Sequence, residues 1–183
     1  ISVFLSVRQN IWSWLTAIVN VGMYIFVFFR SRLYADTGLQ VVYVVLNFYG
    51  WYEWLYGGKN RTELPVSRTS GRLGALLVVI GAVATAVMGT FLGHTADALP
   101  FMDALTTSTS LVAQWMMTRK LLENWIIWVA VDVVYIGMYI YKDLYVTSAL
   151  YAVFLVLSVM GYLEWKRSLN LITTRLSTEN AGP

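Results

Sequence analysis

Gly50-Trp51-Tyr52-Glu53-Trp54 and Gly161-Tyr162-Leu163-Glu164-Trp165 are two writings of one pattern, a glycine and an aromatic followed by Glu-Trp, set 111 residues apart. The echo extends outward from there. Gly22-Met23-Tyr24-Ile25 returns as Gly137-Met138-Tyr139-Ile140 after 115 residues, Leu33-Tyr34 as Leu144-Tyr145, and Asn10-x-Trp12-x-Trp14 as Asn124-Trp125-x-x-Trp128. Short insertions in loops would account for the small differences in spacing. The chain carries a duplicated unit.

The composition says what the unit is made of. Of 183 residues, 58% are hydrophobic and 13% charged, with eight Trp and twelve Tyr, which is the make-up of a membrane protein. A hydrocarbon core roughly 30 Å thick needs about 20 mostly apolar residues per helix. Six stretches qualify: Ile11 to Phe29, Leu39 to Tyr56, Leu73 to Gly93, Leu99 to Met117, Leu121 to Tyr141 and Leu144 to Trp165. Barrel strands would be about half as long and would alternate. Residues 1–7 are apolar up to Arg8 and read as the end of a further helix, so seven spans are expected, the first of them truncated here.

The absence of cysteine excludes disulfides, thiolate metal sites and cysteine nucleophiles, and no cleavable signal peptide is visible. A formal charge of +3 would hint at nucleic acid in a soluble domain, but here the position of the cations matters more. If the six stretches cross in turn, Arg8, Lys59, Arg61, Arg68, Arg72, Arg119, Lys120, Lys166, Arg167 and Arg175 fall on one side, ten of the thirteen. Arg30, Arg32 and Lys142 fall on the other. The positive-inside rule puts the Arg-rich loops and the C-terminus in the cytoplasm, and no nucleic-acid partner is expected.

The first and fifth stretches match, as do the second and sixth, and the four crossings between partners preserve direction. The repeats are therefore expected to be parallel, related by an axis along the membrane normal, and a duplicated membrane unit of this kind points to a transporter. The plan is three helices, one linker helix and three helices: residues 1–57, 73–93 and 99–166, followed by a polar cytoplasmic tail over 167–183 that is expected to fray. The linker places Gly81, Thr85, Gly89 and Gly93 at intervals of four, small residues suited to close packing against the repeats or a second copy.

Polar residues at membrane depth are costly and mark candidate sites. On a helix of 3.6 residues per turn, Gln40, Tyr43, Asn47, Trp51 and Trp54 share a sector of about 80°, and Asn124, Trp125, Trp128, Asp132, Tyr135 and Tyr139 one of about 100°. Asp103, Thr106, Thr107, Ser110, Gln114 and Met117 align on the fourth stretch, and Ser13, Thr16, Asn20 and Tyr24 on the first. An isolated Ser or Thr reads most simply as an interhelical hydrogen bond; Asn47, Gln114 and Asp132 together read as a site. Trp12, Trp14, Trp115, Trp54 and Trp165, near span ends, read as interfacial belt residues. Glu53 and Glu164 beside them are expected to orient the helix ends or pair with cations. His94, in a loop with Asp97, lacks further ligands for a metal. No phosphate-binding Gly-rich loop with a Lys is present, and no complete span has an interior Lys for a Schiff base, so neither enzyme chemistry nor a cofactor is expected.

Asn47-Phe48-Tyr49-Gly50-Trp51-Tyr52-Glu53-Trp54 and Met117-Thr118-Arg119-Lys120-Leu121-Leu122-Glu123-Asn124-Trp125-Ile126-Ile127-Trp128 resemble the PnuC-type nicotinamide riboside transporters, over about Arg8 to Arg167. The resemblance implies a parallel three-plus-one-plus-three membrane fold similar to that of the SWEET sugar carriers. It also implies a homotrimer in a bacterial inner membrane, and facilitated uptake of nicotinamide riboside by alternating access with cytoplasmic phosphorylation trapping the product. For that substrate, Trp51, Trp125 and Trp128 would stack on the pyridinium ring. Asn47, Gln114 and Asn124 would bond the amide or ribose hydroxyls, Thr106 and Ser110 complete the polar face, and Asp132 would balance the cation or bond a hydroxyl. A carrier for another small solute such as thiamine or a sugar, or a membrane receptor that binds without transport, are the alternatives.

Overall fold

A computed structural model describes residues 1–94 and 99–180. Among the described residues the chain is helical: α1 (Ser2–Val7), α2 (Trp12–Arg30), α3 (Tyr34–Tyr56), a short 3-10 turn (Lys59–Arg61), α4 (Gly71–Leu92), α5 (Pro100–Thr118), α6 (Asn124–Tyr141) and α7 (Tyr145–Asn180). Helices α2, α4, α6 and α7 are long and apolar enough to cross a membrane. Helices α3 and α5 have 23 and 19 residues, but the polar faces seen in the sequence dilute their hydropathy.

The molecule is apolar outside and polar within. Val19, Phe26, Val78, Val83, Val153 and Val156 are exposed, whereas Ser13, Asn47, Ser110, Asn124, Asp132 and Ser158 are buried. That polarity suits hydrocarbon surroundings, where polar groups must find partners inside the bundle.

One set of contacts at the end of the bundle that carries Arg8 and Arg119 recurs at a constant spacing. Trp14 meets Trp54 edge to face with centroids 5.3 Å apart at 89°, and Trp125 meets Trp165 at 5.4 Å and 89°. Each first indole lies against a glycine on the following helix, Trp14 on Gly50 and Trp125 on Gly161, where a Cβ would fall into the ring. Trp54 and Trp165 then meet each other at 5.8 Å. The Trp54 Nε1–H donates to the Met117 carbonyl at 3.1 Å, and the Trp165 Nε1–H to the Ser6 carbonyl at 3.1 Å. Arg119 pairs with Glu53 at 2.7 Å and Arg8 with Glu164 at 4.0 Å, as expected of those glutamates. Each partner in one set lies 111 residues from its counterpart in the other.

The backbone keeps the same register. The turns after α1 and α5 carry positive φ at Gln9 (53°) and Lys120 (48°), those after α2 and α6 at Arg32 (60°) and Asp143 (56°). Two of the sequence echoes are therefore out of register. Gly22-Met23-Tyr24-Ile25 and Gly137-Met138-Tyr139-Ile140 differ by four residues from structural equivalence, about one helical turn, and Trp14, not Trp12, occupies the place of Trp125. Between Gln9 and Glu53 no insertion is needed; what fixes the register is the fit of indole to glycine.

Two further expectations are corrected. Trp14, Trp54 and Trp165 are not belt residues: they are 3%, 2% and 0% exposed, because Trp14 fits against Gly50 and Trp54 and Trp165 pack on Trp14, Trp125 and each other. Trp12, 61% exposed, keeps the belt reading. The polar tail does not fray after Lys166 but continues α7 to Asn180. Asp97, placed beside His94, lies outside the described residues.

Helix α4 packs on α5, with the Thr85 and Ser108 hydroxyls bonded at 2.6 Å and Gly89 accommodating the Phe101 ring. The loop before it is fastened to the α5–α6 turn. Ser67 N–H donates to the Lys120 carbonyl at 3.0 Å, Leu122 N–H to the Ser67 carbonyl at 2.9 Å, and both the N–H and hydroxyl of Thr69 to Glu123 Oε2 at 2.8 and 2.7 Å. Lys120 Nζ sits 4.5 Å from the Trp54 ring centroid; burial pushes its ammonium below the usual lysine range, against the pull of Glu63.

Gly50→Ala and Gly161→Ala should each destabilise the protein by about 1–3 kcal/mol through overpacking, while Gly22→Ala and Gly137→Ala, which face open space, should not; thermal unfolding in detergent reads the difference. Glu123→Ala should release the loop, seen as faster tryptic cleavage at Arg61 and Arg68.

Candidate substrate-binding site

A cavity of about 290 Å³ lies between α1–α3 on one side and α5–α7 on the other. Its boundary toward the tryptophan cluster is Trp14, Trp125 and Met117. The indoles that hold the helices together thus also close the cavity at that end.

Across the cavity wall, Gln114 Nε2 on α5 donates to Asn47 Oδ1 on α3 at 3.1 Å. The remaining amide valences are available to a ligand, since an Asn or Gln side chain has two N–H donors and a two-lone-pair carbonyl. Ser13 and Ser110 hydroxyls and the Trp14 and Trp125 indole N–H groups are buried without a protein partner, all four on residues that line the cavity. Unpaired buried donors cost about 1–3 kcal/mol each, so a hydroxyl- or carbonyl-bearing guest gains by satisfying them.

The opposite wall is aromatic. Tyr151 lies 4.6 Å from Tyr135, 5.2 Å from Tyr139 and 5.7 Å from Phe154, centroid to centroid, and Trp128 and Tyr43 extend the surface. In its midst the Asp132 carboxylate accepts the Ser158 hydroxyl at 2.9 Å. Both residues are buried.

Of the residues singled out in the sequence, Asn47, Ser110, Gln114, Trp125, Trp128 and Asp132 come together around this cavity. Trp51, Thr106 and Asn124 do not. Trp51, one turn beyond Asn47, packs half-buried against the tryptophan cluster. The Thr106 hydroxyl turns back to the Met102 and Asp103 carbonyls at 2.9 and 3.2 Å, and the Asn124 amide bonds the Leu121 carbonyl at the start of α6. Trp51 and Thr106 are consumed by their own neighbourhoods, whereas the Asn124 Oδ1 is buried without a partner away from the cavity.

Trp14, Tyr151, Ser158 and the α1 residues Ser2, Val3 and Ser6 also line the cavity and were missed as site residues. Tyr43 and Tyr135 had a usable signal, since they share helical sectors with Asn47 and Asp132. Tyr151 and Ser158 are seven residues apart on α7, two turns on one face, but an isolated Ser and Tyr in an apolar span do not stand out.

The family model described as "Nicotinamide mononucleotide transporter" matches residues 1–167. The nicotinamide riboside transporter PnuC of Escherichia coli strain K12 is 28% identical over 186 residues, covering 87% of this chain and 78% of that protein. The riboflavin/roseoflavin transporter RibM of Streptomyces davaonensis is 26% identical over 171 residues, covering 90% and 79%. A crystal structure of the vitamin B3 transporter PnuC aligns with a TM-score of 0.69 at 27% identity, covering 93% of this chain and 79% of that one. With the matched region taking in the tryptophan cluster and the whole cavity wall, the chain belongs to the nicotinamide mononucleotide transporter family of multi-pass membrane proteins.

Proposed function

We propose that the protein carries nicotinamide riboside across a bacterial cytoplasmic membrane by alternating access, with phosphorylation in the cytoplasm trapping the product. The observation that carries this reading is the cavity itself: aromatic faces from Trp125, Trp128, Tyr135 and Tyr151, the Asn47–Gln114 amides, and no Lys, Arg or His among the described residues of its wall. Indole faces attract a pyridinium cation by about 0.5–2 kcal/mol. A phosphate, by contrast, calls for Arg, Lys or a helix N-terminus, so the lining favours the nucleoside over the mononucleotide for which the family is described. The PnuC relatives support the same substrate. RibM supports a second reading, a flavin held by the same aromatic faces.

The two halves, α1–α3 and α5–α7, would move as parallel repeats joined by α4, a three-plus-one-plus-three plan supported by the constant 111-residue recurrence of the tryptophan contacts and turns. The basic loops and the C-terminus would face the cytoplasm.

In calorimetry, nicotinamide riboside should bind and the mononucleotide and riboflavin should not compete; Trp128→Ala should weaken binding about tenfold or more, in line with about 1–3 kcal/mol per stacked ring. Uptake into sealed liposomes must follow, and binding without uptake would make the protein a receptor. Because the chain has no cysteine, Thr62→Cys should react with impermeant maleimide only from the cytoplasmic side and Val146→Cys only from outside.

A further inference from the structure

Among the described residues, Asp132 is the one carboxylate in the cavity wall, which holds no cationic side chain. The ion pairs found among the described residues involve other groups: Arg119 with Glu53, Arg8 and Arg167 with Glu164, and Lys142 with Asp103. None reaches Asp132, which is 2% exposed and held by the Ser158 hydroxyl. A buried carboxylate without a cationic partner either stays neutral or draws a cation to itself.

The internal register shows how one-sided this provision is. At the 111-residue offset, Val21 stands where Asp132 does, Ala17 where Trp128 does, and Val3 where Gln114 does. Helices α1 and α2 contribute Val3, Ala17, three serines and the Trp14 indole to the cavity but no charged group, whereas α5 and α6 contribute the Gln114 amide, two indoles and the Asp132 carboxylate. A charged ring therefore has one favourable place, against α6 with its polar amide toward Gln114 and Asn47.

We infer that Asp132, positioned by Ser158, is the specificity-determining counter-charge of the cavity, selecting a cationic ring over a neutral ring of the same shape. The inference rests on the nucleoside reading above and names what that site distinguishes. Its matched probe is the reduced nucleoside, dihydronicotinamide riboside, which keeps the amide and ribose but has gained a hydride and lost the ring charge.

The test is binding of both forms by calorimetry to the wild-type protein and to Asp132→Asn, Asp132→Glu and Ser158→Ala. The wild type should prefer the cation. Asp132→Asn should shrink the cation-to-neutral affinity ratio at least tenfold, equivalent to about 1.4 kcal/mol, mainly by weakening the cation, whereas Asp132→Glu should retain the preference and Ser158→Ala reduce it in part. An Asp132→Asn protein with an unchanged ratio overturns the inference, as does a wild type that binds both forms equally, a result that needs no variant to fold. A wild type that binds neither form removes the nucleoside reading as well, which separates the two failures.

Discussion

The close approach of an indole to a glycine backbone is the constraint on which the rest of this structure depends. Trp14 can lie on α3 only because residue 50 has no Cβ, and Trp125 on α7 only because residue 161 has none. Those two fits bring Trp54 and Trp165 into contact at the centre of the basic end. From there the helix spacing, the register of the turns and the closed end of the cavity all follow. The Arg–Glu pairs around the cluster are partly exposed, and such pairs contribute only about 0–1 kcal/mol. They align the helix ends that the tryptophans have already brought together.

Much of this was legible in the sequence, and for physical reasons. Apolar runs of span length located six helices, because the bilayer imposes both length and composition, although α7 runs on to Asn180, well past its apolar stretch. Amides and a carboxylate at mid-depth marked the cavity, because hydrocarbon tolerates them only when they face inward. Asn47, Gln114 and Asp132 were found that way. Trp14, Trp54 and Trp165 were misplaced because a tryptophan near a span end is ordinarily interfacial, and the glycine that overrules this for Trp14 lies 36 residues further along the chain. Thr106 lies outside the cavity wall, and its pattern does not reveal this, because a hydroxyl satisfied by its own helix looks the same in sequence as one aimed at a ligand. The Gly-Met-Tyr-Ile echo misled differently: a shift of one turn keeps the same helix face, so the hydrophobic pattern alone cannot reject it.

The two ends of the α5–α6 unit are treated unequally with respect to α1–α2. The loop of residues 62–70 is bonded to Lys120, Leu122 and Glu123, and Lys120 is tucked against Trp54. Gln9, the counterpart of Lys120, precedes no such strap. The side of the bundle that supplies Gln114, Trp128 and Asp132 is accordingly the better braced one, and the lighter α1–α2 side has the fewer bonds to break in any movement between them.

The two reciprocal indole hydrogen bonds have a consequence for symmetry. Trp54 reaches Met117 while Trp165 reaches Ser6, so each half gives to the other what it receives, which is the signature of an isologous contact between identical subunits. The two halves are nonetheless separate stretches of one chain, so the walls they build need not match. Val21 and Asp132, like Ala17 and Trp128, hold equivalent places with different chemistry, and the cavity is left with a single charged side.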